Sequence, residues 1–139
     1  MAFAPVVVSL PVADRRSAHD FYRAALDLEA FGEPASDGLP EPLQFAVNDG
    51  LHLMLVPVSG FDRILLGGRW VIGDHAVAVR GQVECILGLS PESRAAVDAL
   101  IARAREAGGA VVAEPAERPW GYVAMFADPD GHVWMLTAT

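Results

Sequence analysis

The residues able to do chemistry in this chain are few, and Glu84 leads them. It sits in Val83-Glu84-Cys85-Ile86-Leu87, where a charged, unpaired carboxylate is costly. Its spacing leaves two roles open. Either it serves a site, as a general base or as an anchor for a ligand's cation or hydrogen-bond donor, or it is structural, paired with Arg80 or Arg118 or placed at an open strand end. His52 lies two residues before Met54 and so shares its face of a strand. Met54 and Met135 each stand four residues past a turn glycine, Gly50 and Gly131. Thioethers are flexible and polarisable and fit irregular apolar ligands. Trp120 and Tyr122 enter the last hairpin, where their rings either stack on a planar or cationic ligand or simply pack.

The remaining candidates carry less. Cys85 is the lone cysteine and lies in an apolar run, so it reads as a buried, inert thiol, and its solitude excludes an internal disulfide or a cysteine-rich zinc site. All ten cations are arginine, which excludes a lysine Schiff base. His132 follows a turn glycine and reads as a surface or turn residue, His19 as a solvated helix position, and His75 as an isolated histidine. No Ser-His-Asp arrangement has local support, and neither Gly67-Gly68 nor Gly108-Gly109 opens a helix as a phosphate loop does.

The elements that must position these groups follow from pattern. Val6–Leu10 is short and β-branched, a strand ended by Pro11 to Asp14. A helix follows, capped by Asp14 or Ser17, with Ala18, Phe21, Tyr22 and Ala25 on one core-facing stripe. Leu28 to Phe31 allows a short strand, and the prolines and glycine of 33–42 mark a loop. A hairpin runs from Leu43 to Val56 around Asn48-Asp49-Gly50. Val83 to Leu89 reads as a strand, Ser90-Pro91 as the opening of a second helix with stripe Val97, Leu100, Ile101 and Ala104, and Gly108-Gly109 as its stop. Val111 to Ala113 is a strand and Pro115 to Pro119 a loop. A closing hairpin turns at Asp128-Pro129-Asp130-Gly131. Strand, helix and three strands thus occur twice, and laying Gly50 on Gly131 puts Met54 on Met135, an internal repeat.

Composition bounds the class. The chain has 139 residues, 53% of them hydrophobic, a length that fits one domain with a substantial core. No apolar run approaches the roughly 20 residues of a membrane span, and the start has no basic region of a signal peptide. A reduced cytoplasm fits the single cysteine. The net charge of −8 supplies no basic stripe for nucleic acid.

With Leu10-Pro11-Val12-Ala13-Asp14, Ser17, Phe21-Tyr22 and above all Phe126-Ala127-Asp128-Pro129-Asp130-Gly131-His132, the whole chain resembles the vicinal oxygen chelate superfamily, which includes glyoxalase I, extradiol dioxygenases and the fosfomycin- and bleomycin-resistance proteins. The resemblance implies an α+β fold of two βαβββ modules forming a curved, mostly antiparallel eight-stranded sheet around a cavity. Module 1 would span about 1–60, a linker or flap about 61–81, and module 2 about 82–139, within a single domain and commonly in a homodimer.

Metal-dependent relatives hold a divalent ion with His and Glu from four strands. The resemblance and the repeat carry those places onto Val7, Met54, Glu84 and Met135. Such a set does not suit a hard or borderline divalent ion, which needs oxygen or imidazole donors. The expected cofactor is therefore none. The cavity face implied by the resemblance carries Val7, Ser9, His52, Met54, Glu84 and Met135, an apolar surface with a few polar groups. The function expected is metal-free binding or sequestration of a cationic or aromatic small molecule, with no nucleic-acid or membrane partner. The alternative is a lyase, isomerase or dioxygenase of the same superfamily, either metal-dependent through other ligands or metal-free with Glu84 as base. A third reading is a fold relative whose cavity is filled by its own side chains.

Overall fold

The structure is a computed structural model that describes residues 1–60, 83 and 85–139. Glu84, His75, Gly67-Gly68 and the segment about 61–81 assigned to a linker or flap lie outside the described residues. The elements in chain order are β1 (Val6–Val12), α1 (Arg15–Leu26), β2 (Ala30–Phe31), β3 (Leu43–Asn48) and β4 (Leu51–Pro57), then β5 (Ile86–Leu89), α2 (Arg94–Glu106), β6 (Ala110–Arg118), β7 (Gly121–Ala127) and β8 (Val133–Ala138). The order βαβββ therefore occurs twice. Among the described residues no helix is long and apolar enough to cross a membrane.

The strands form two four-stranded sheets, in the orders β1-β4-β3-β2 and β5-β8-β7-β6. Each mixes one parallel pair, β1 with β4 or β5 with β8, with antiparallel hairpins. The chain divides into two compact units. The first holds Met1–His19 and β2 to β4; the second holds Asp20–Asp27, β5 to β8 and α2. The division falls inside α1.

In the first unit, Leu43, Phe45, Leu53, Leu55 and Leu10 alternate onto one buried face, and His19 of α1 stacks on Phe45 with ring centroids 5.9 Å apart. His19 is thus a packing residue rather than a solvated one. Asp14 caps α1: its Oδ2 accepts from the Ser17 N–H at 2.9 Å and from the Ser17 hydroxyl at 2.7 Å. Of the two caps the sequence allowed, the structure selects the one placed to satisfy an orphan N–H. The loop between β2 and β3 is tied to α1 by Arg15, which pairs with Asp37 at 2.7 Å and donates to the Pro40 carbonyl, while Leu39 is buried.

The core of the second unit is aromatic. Phe126 and Trp134 stack at 6.3 Å, and Phe21 and Tyr22 of α1 meet them edge-on or tilted. Val97, Ile101 and Ala104 of α2 are buried as the helical stripe requires. Arg103 donates through Nε and Nη2 to the Ala25 carbonyl at the C-terminal end of α1, a group left orphaned by the helix.

Three boundaries differ from the sequence reading. The second helix opens at Ser93, whose side chain accepts from Ala96 N, and not at Ser90-Pro91. Strand β5 begins at Ile86 and not at Val83, which leaves Cys85 exposed. The expected buried thiol is therefore corrected: the apolar run around Cys85 lies before the strand. Strand β6 continues to Arg118 through the segment read as a loop, because register shifts between Val111, Ala113 and Ala116 accommodate Pro115.

Candidate functional site

On the first sheet, one face carries mainly half-buried and exposed side chains; on the second, Met125 and Met135 are half-buried on a face where their neighbours Val123, Ala127 and Val133 are buried. On the first, the register aligns Val7 with His52 and Ala46, and Ser9 with Met54, Gln44 and Phe31. The four residues singled out on this unit, Val7, Ser9, His52 and Met54, are therefore brought together. Phe31 and Gln44 complete the face. Both lie in segments the sequence allowed as strands, but which face each side chain takes follows only from the pairing of β2 with β3 and of β3 with β4. Phe31 is 41% exposed and Val7 47%. The Phe31 ring meets His52 edge-on, with centroids 5.2 Å apart and planes at 64°.

On the second sheet the equivalent row is Gly88, Met135, Met125 and Ala113. Met125 faces Met135 across the β7–β8 ladder, and both are half-buried. Met125 escaped the sequence reading, although its period-two spacing from Ala127 and Val123 was the available signal. Gly88 and Ala113 bracket the pair with little or no side chain, and among the described residues a Cβ built on Gly88 would meet nothing within 4 Å. Space therefore lies beside the Met135 thioether.

Trp120 and Tyr122 do not join these faces. Trp120 is 63% exposed at the β6–β7 turn. Tyr122 alternates with Ala124 and Phe126 onto the helix side, where its hydroxyl donates to Asp98 of α2 at 2.7 Å and Arg94 lies 5.3 Å over its ring. The hydrogen bond from Tyr122 to Asp98 raises the phenol's pKa. Its ring is committed to α2.

The turn between β7 and β8 is built around Asp128, which is 4% exposed. Its Oδ1 accepts from the N–H groups of Asp130 and His132, and its Oδ2 accepts from the Tyr22 hydroxyl at 2.6 Å. Trp134 Nε1 donates in turn to the Tyr22 oxygen at 3.1 Å. Burial raises the carboxyl's pKa and pushes the Tyr22 phenol well above its ordinary value. This network orders a hairpin.

The two modules can be laid on each other by their own geometry. Ser9 pairs with Met54 and lies five residues before the cap Asp14; Gly88 pairs with Met135 and lies five before the cap Ser93. Met54 and Met135 are equivalent, as the turn glycines implied. The equivalent of Val7 is Ile86, however, since Val7 pairs with His52 and Ile86 with Val133, two residues earlier in each last strand. Glu84 precedes β5 in the chain, so the repeat does not place it opposite Val7.

The chain matches the model of the Glyoxalase/Bleomycin resistance protein/Dioxygenase superfamily over residues 4–136. It belongs to that superfamily. Among solved structures it is similar to TnmS3, described as an antibiotic binding protein, from Streptomyces sp. CB03234, with 32% identity, a TM-score of 0.62 and coverage of 99% of this chain and 98% of that one. It is also similar to UcmS2, at 26% identity and TM-score 0.63 over 99% and 98% of the two chains. The hypothetical protein SA1046 from S. aureus shares the fold at TM-score 0.78 and 24% identity, over 100% and 95%. No protein of curated function matches the chain in sequence.

A superfamily metal centre can be tested against these residues. By the register, the row equivalent to the positions carried over by resemblance is Val7, Met54, Ile86 and Met135, while Glu84 lies outside the described residues. Two aliphatic side chains donate nothing, and neutral thioethers are poor ligands for Zn, Ni, Mn or Fe(II). His52 is a single imidazole, set against Phe31. Among the described residues no three of His, Cys, Asp and Glu gather as a metal-binding group. This donor set does not fit the family's divalent ion.

Proposed function

We propose that this superfamily member binds a neutral aromatic small molecule without using a divalent metal centre. The observation that carries the reading is the row equivalence, which supports laying the donor places implied by the resemblance onto Val7, Met54, Ile86 and Met135. Each face, taken by itself, supports the same conclusion: on the first sheet Met54 and the Phe31 edge with Ser9, Gln44 and His52, and on the second the Met125 and Met135 thioethers, are the usual lining of a small-molecule site. The antibiotic-binding description of TnmS3, at 32% identity over nearly the whole of both chains, supports a binding role. Of the two ligand classes the sequence suggested, aromatic is favoured over cationic. The cationic class rested on Glu84, which lies outside the described residues, on the net charge of −8 and on stacking by Trp120 or Tyr122; no carboxylate lies in the two rows described, and the Tyr122 ring packs against α2. Exposed Val6, Val7 and Ile86 on the edge strands β1 and β5 support a homodimer.

The test is metal analysis of protein that has met neither a chelator nor a histidine tag, followed by titration with Zn, Ni, Mn and Fe(II) and with the neutral aromatic dye Nile red. The expected result is saturable dye binding and no tight stoichiometric metal. Near-stoichiometric bound metal would overturn the metal-free reading. Absence of saturable dye binding would overturn the binding role and favour a cavity filled by the chain's own side chains.

A further inference from the structure

Three of the chain's four methionines, Met54, Met125 and Met135, are half-buried and alternate away from the faces of Leu53, Phe126 and Trp134, and the fourth, Met1, is fully exposed. Two of the three form a matched pair. Met125 and Met135 stand opposite each other on neighbouring strands, half-buried, with Gly88 on one side and Ala113 on the other. Larger side chains at those flanking positions would cover the sulfurs. Among the described residues, nothing lies within 4 Å of where a Cβ on Gly88 would be. Phe126 and Trp134, next to the pair along the strands, alternate onto the opposite face and are essentially fully buried, while the two thioethers are half-buried.

Thioether sulfur is a soft nucleophile whose oxidation follows access rather than ionisation, because it has no proton to lose. We propose that the Met125–Met135 pair is a modification site, oxidised by hydroperoxides to methionine sulfoxide, and that this oxidation closes the ligand-binding face. A sulfur lone pair attacks the terminal peroxide oxygen, the O–O bond breaks as the S–O bond forms, and the departing hydroxide or alkoxide takes up that oxygen's proton and leaves as water or an alcohol. Sulfur is oxidised by two electrons and the peroxide is reduced by two. The product carries a strong hydrogen-bond acceptor where an apolar, polarisable surface lay. Pairing compounds the effect, since the first sulfoxide oxygen stands against the second side chain across the ladder. An apolar ligand would then have to desolvate two polar groups, and among the flanking residues Gly88, Ala113, Val123, Ala127, Val133 and Thr137 only Thr137 carries a side-chain donor. Methionine sulfoxide reductases reverse the chemistry, so the change acts as a switch rather than as damage alone. The effect on binding rests on the proposed function; the site of oxidation does not.

The experiment treats the full chain with graded hydrogen peroxide and quantifies sulfoxide at Met1, Met54, Met125 and Met135 by peptide mass spectrometry. Nile red affinity and circular dichroism are followed on the same samples. The expected result is oxidation of Met125 and Met135 at rates within about tenfold of the exposed Met1. A loss of dye affinity of about tenfold or more should accompany it, with the fold retained and affinity restored by methionine sulfoxide reductases. In a Met54→Leu background, the Met125→Leu/Met135→Leu variant should bind the dye alike whether treated or untreated, whatever its starting affinity, while the background protein should lose affinity on treatment. Met125 and Met135 remaining reduced after Met1 has reacted fully would overturn the modification site. Sulfoxide at both with affinity unchanged, or affinity lost only because the protein unfolds, would overturn the switch. Failure of the untreated protein to bind the dye would overturn the binding role and with it the switch, while the peptide analysis would still decide the modification.

Discussion

Tyr22 donates a 2.6 Å hydrogen bond to Asp128, joining α1 to the β7–β8 turn across 106 positions of sequence. The same hydroxyl accepts from Trp134 Nε1. One phenolic oxygen therefore satisfies two buried polar partners. Replacing Tyr22 with Phe keeps the ring in the aromatic core and leaves both partners short of a hydrogen bond, which should cost about 1–3 kcal/mol. Denaturant unfolding measures it as a lower midpoint at unchanged slope. A Tyr22→Phe protein as stable as the parent would show that this bond is not what orders the hairpin.

The pH dependence of stability should carry two opposite contributions. The Asp128 carboxyl is raised above 3.8 chiefly by burial, against the lowering effects of His132 and of the Tyr22 hydrogen bond. The folded state thus holds that proton more tightly than the unfolded chain. Its contribution is full below 3.8 and is lost as pH rises through the raised value. Asp14 runs the other way: hydrogen bonds from the Ser17 side chain and backbone lower its carboxyl below 3.8. Its contribution is present above 3.8 and is lost as pH falls through the lowered value. Stability measured from about pH 2 to pH 7 should lose the first slope in Asp128→Asn and the second in Asp14→Asn. If Asp128→Asn kept the parent's decline with rising pH, the assignment to Asp128 would be wrong.

What could be read from sequence was whatever rested on local chemistry. Asp128-Pro129-Asp130-Gly131 and Asn48-Asp49-Gly50 are turns because their residues adopt turn dihedrals regardless of surroundings, and the stripe from Ala18 to Ala25 is a helix face by periodicity. What could not be read depended on neighbours. Pro91 offered a helix start, yet Ser93 supplies the cap, and that choice shifts the second module's alignment by two residues, from Glu84 to Ile86. A shift of two preserves the face, so alternation alone could not expose it; the parallel pairing of Ile86 with Val133 does. Pro115 reads as a loop residue until the bulges of β6 are seen to absorb it. Phe31 belongs to a two-residue strand, below the length at which any pattern exists.

The cap gives that alignment a direct check. Ser93 accepts from the Ala96 N–H at 3.0 Å, so Ser93→Ala should destabilise the protein by about 1 kcal/mol. Ser90→Ala, outside the helix, should change it by less than about 0.5 kcal/mol. Thermal or denaturant unfolding of the two variants separates them. The reverse order would restore Ser90-Pro91 as the helix opening and return Glu84 to the position equivalent to Val7.

Gly109 is required by space rather than by backbone angle. A Cβ there would lie 2.7 Å from the Ala127 carbonyl oxygen, 2.8 Å from Phe21 Cε2 and 3.0 Å from the Ala104 carbonyl oxygen. Two of these are backbone atoms that cannot swing aside, so Gly109→Ala should cost about 1–3 kcal/mol as an overpacked site. The measurement is equilibrium unfolding, and a neutral substitution would mean that the chain leaving α2 does not approach β7 this closely.

Phe31 and Leu53 should separate binding from stability on the first sheet. Phe31 lies 41% exposed beside His52 on the face with Met54, while Leu53 is fully buried on the opposite face. Phe31→Ala removes little core, so its effect on unfolding should stay within about 1 kcal/mol. It removes an aromatic edge from the ligand face, where a ring pair contributes about 0.5–1.5 kcal/mol beyond its area, and Nile red affinity should fall roughly three- to tenfold. Leu53→Ala opens a cavity in the core and should cost about 2–5 kcal/mol of stability. The two variants, measured by dye titration and by unfolding, distinguish a face used for ligands from one that is merely exposed. Unchanged dye affinity in Phe31→Ala would remove this face from the ligand site and leave the methionine row of the second sheet as the surface to pursue.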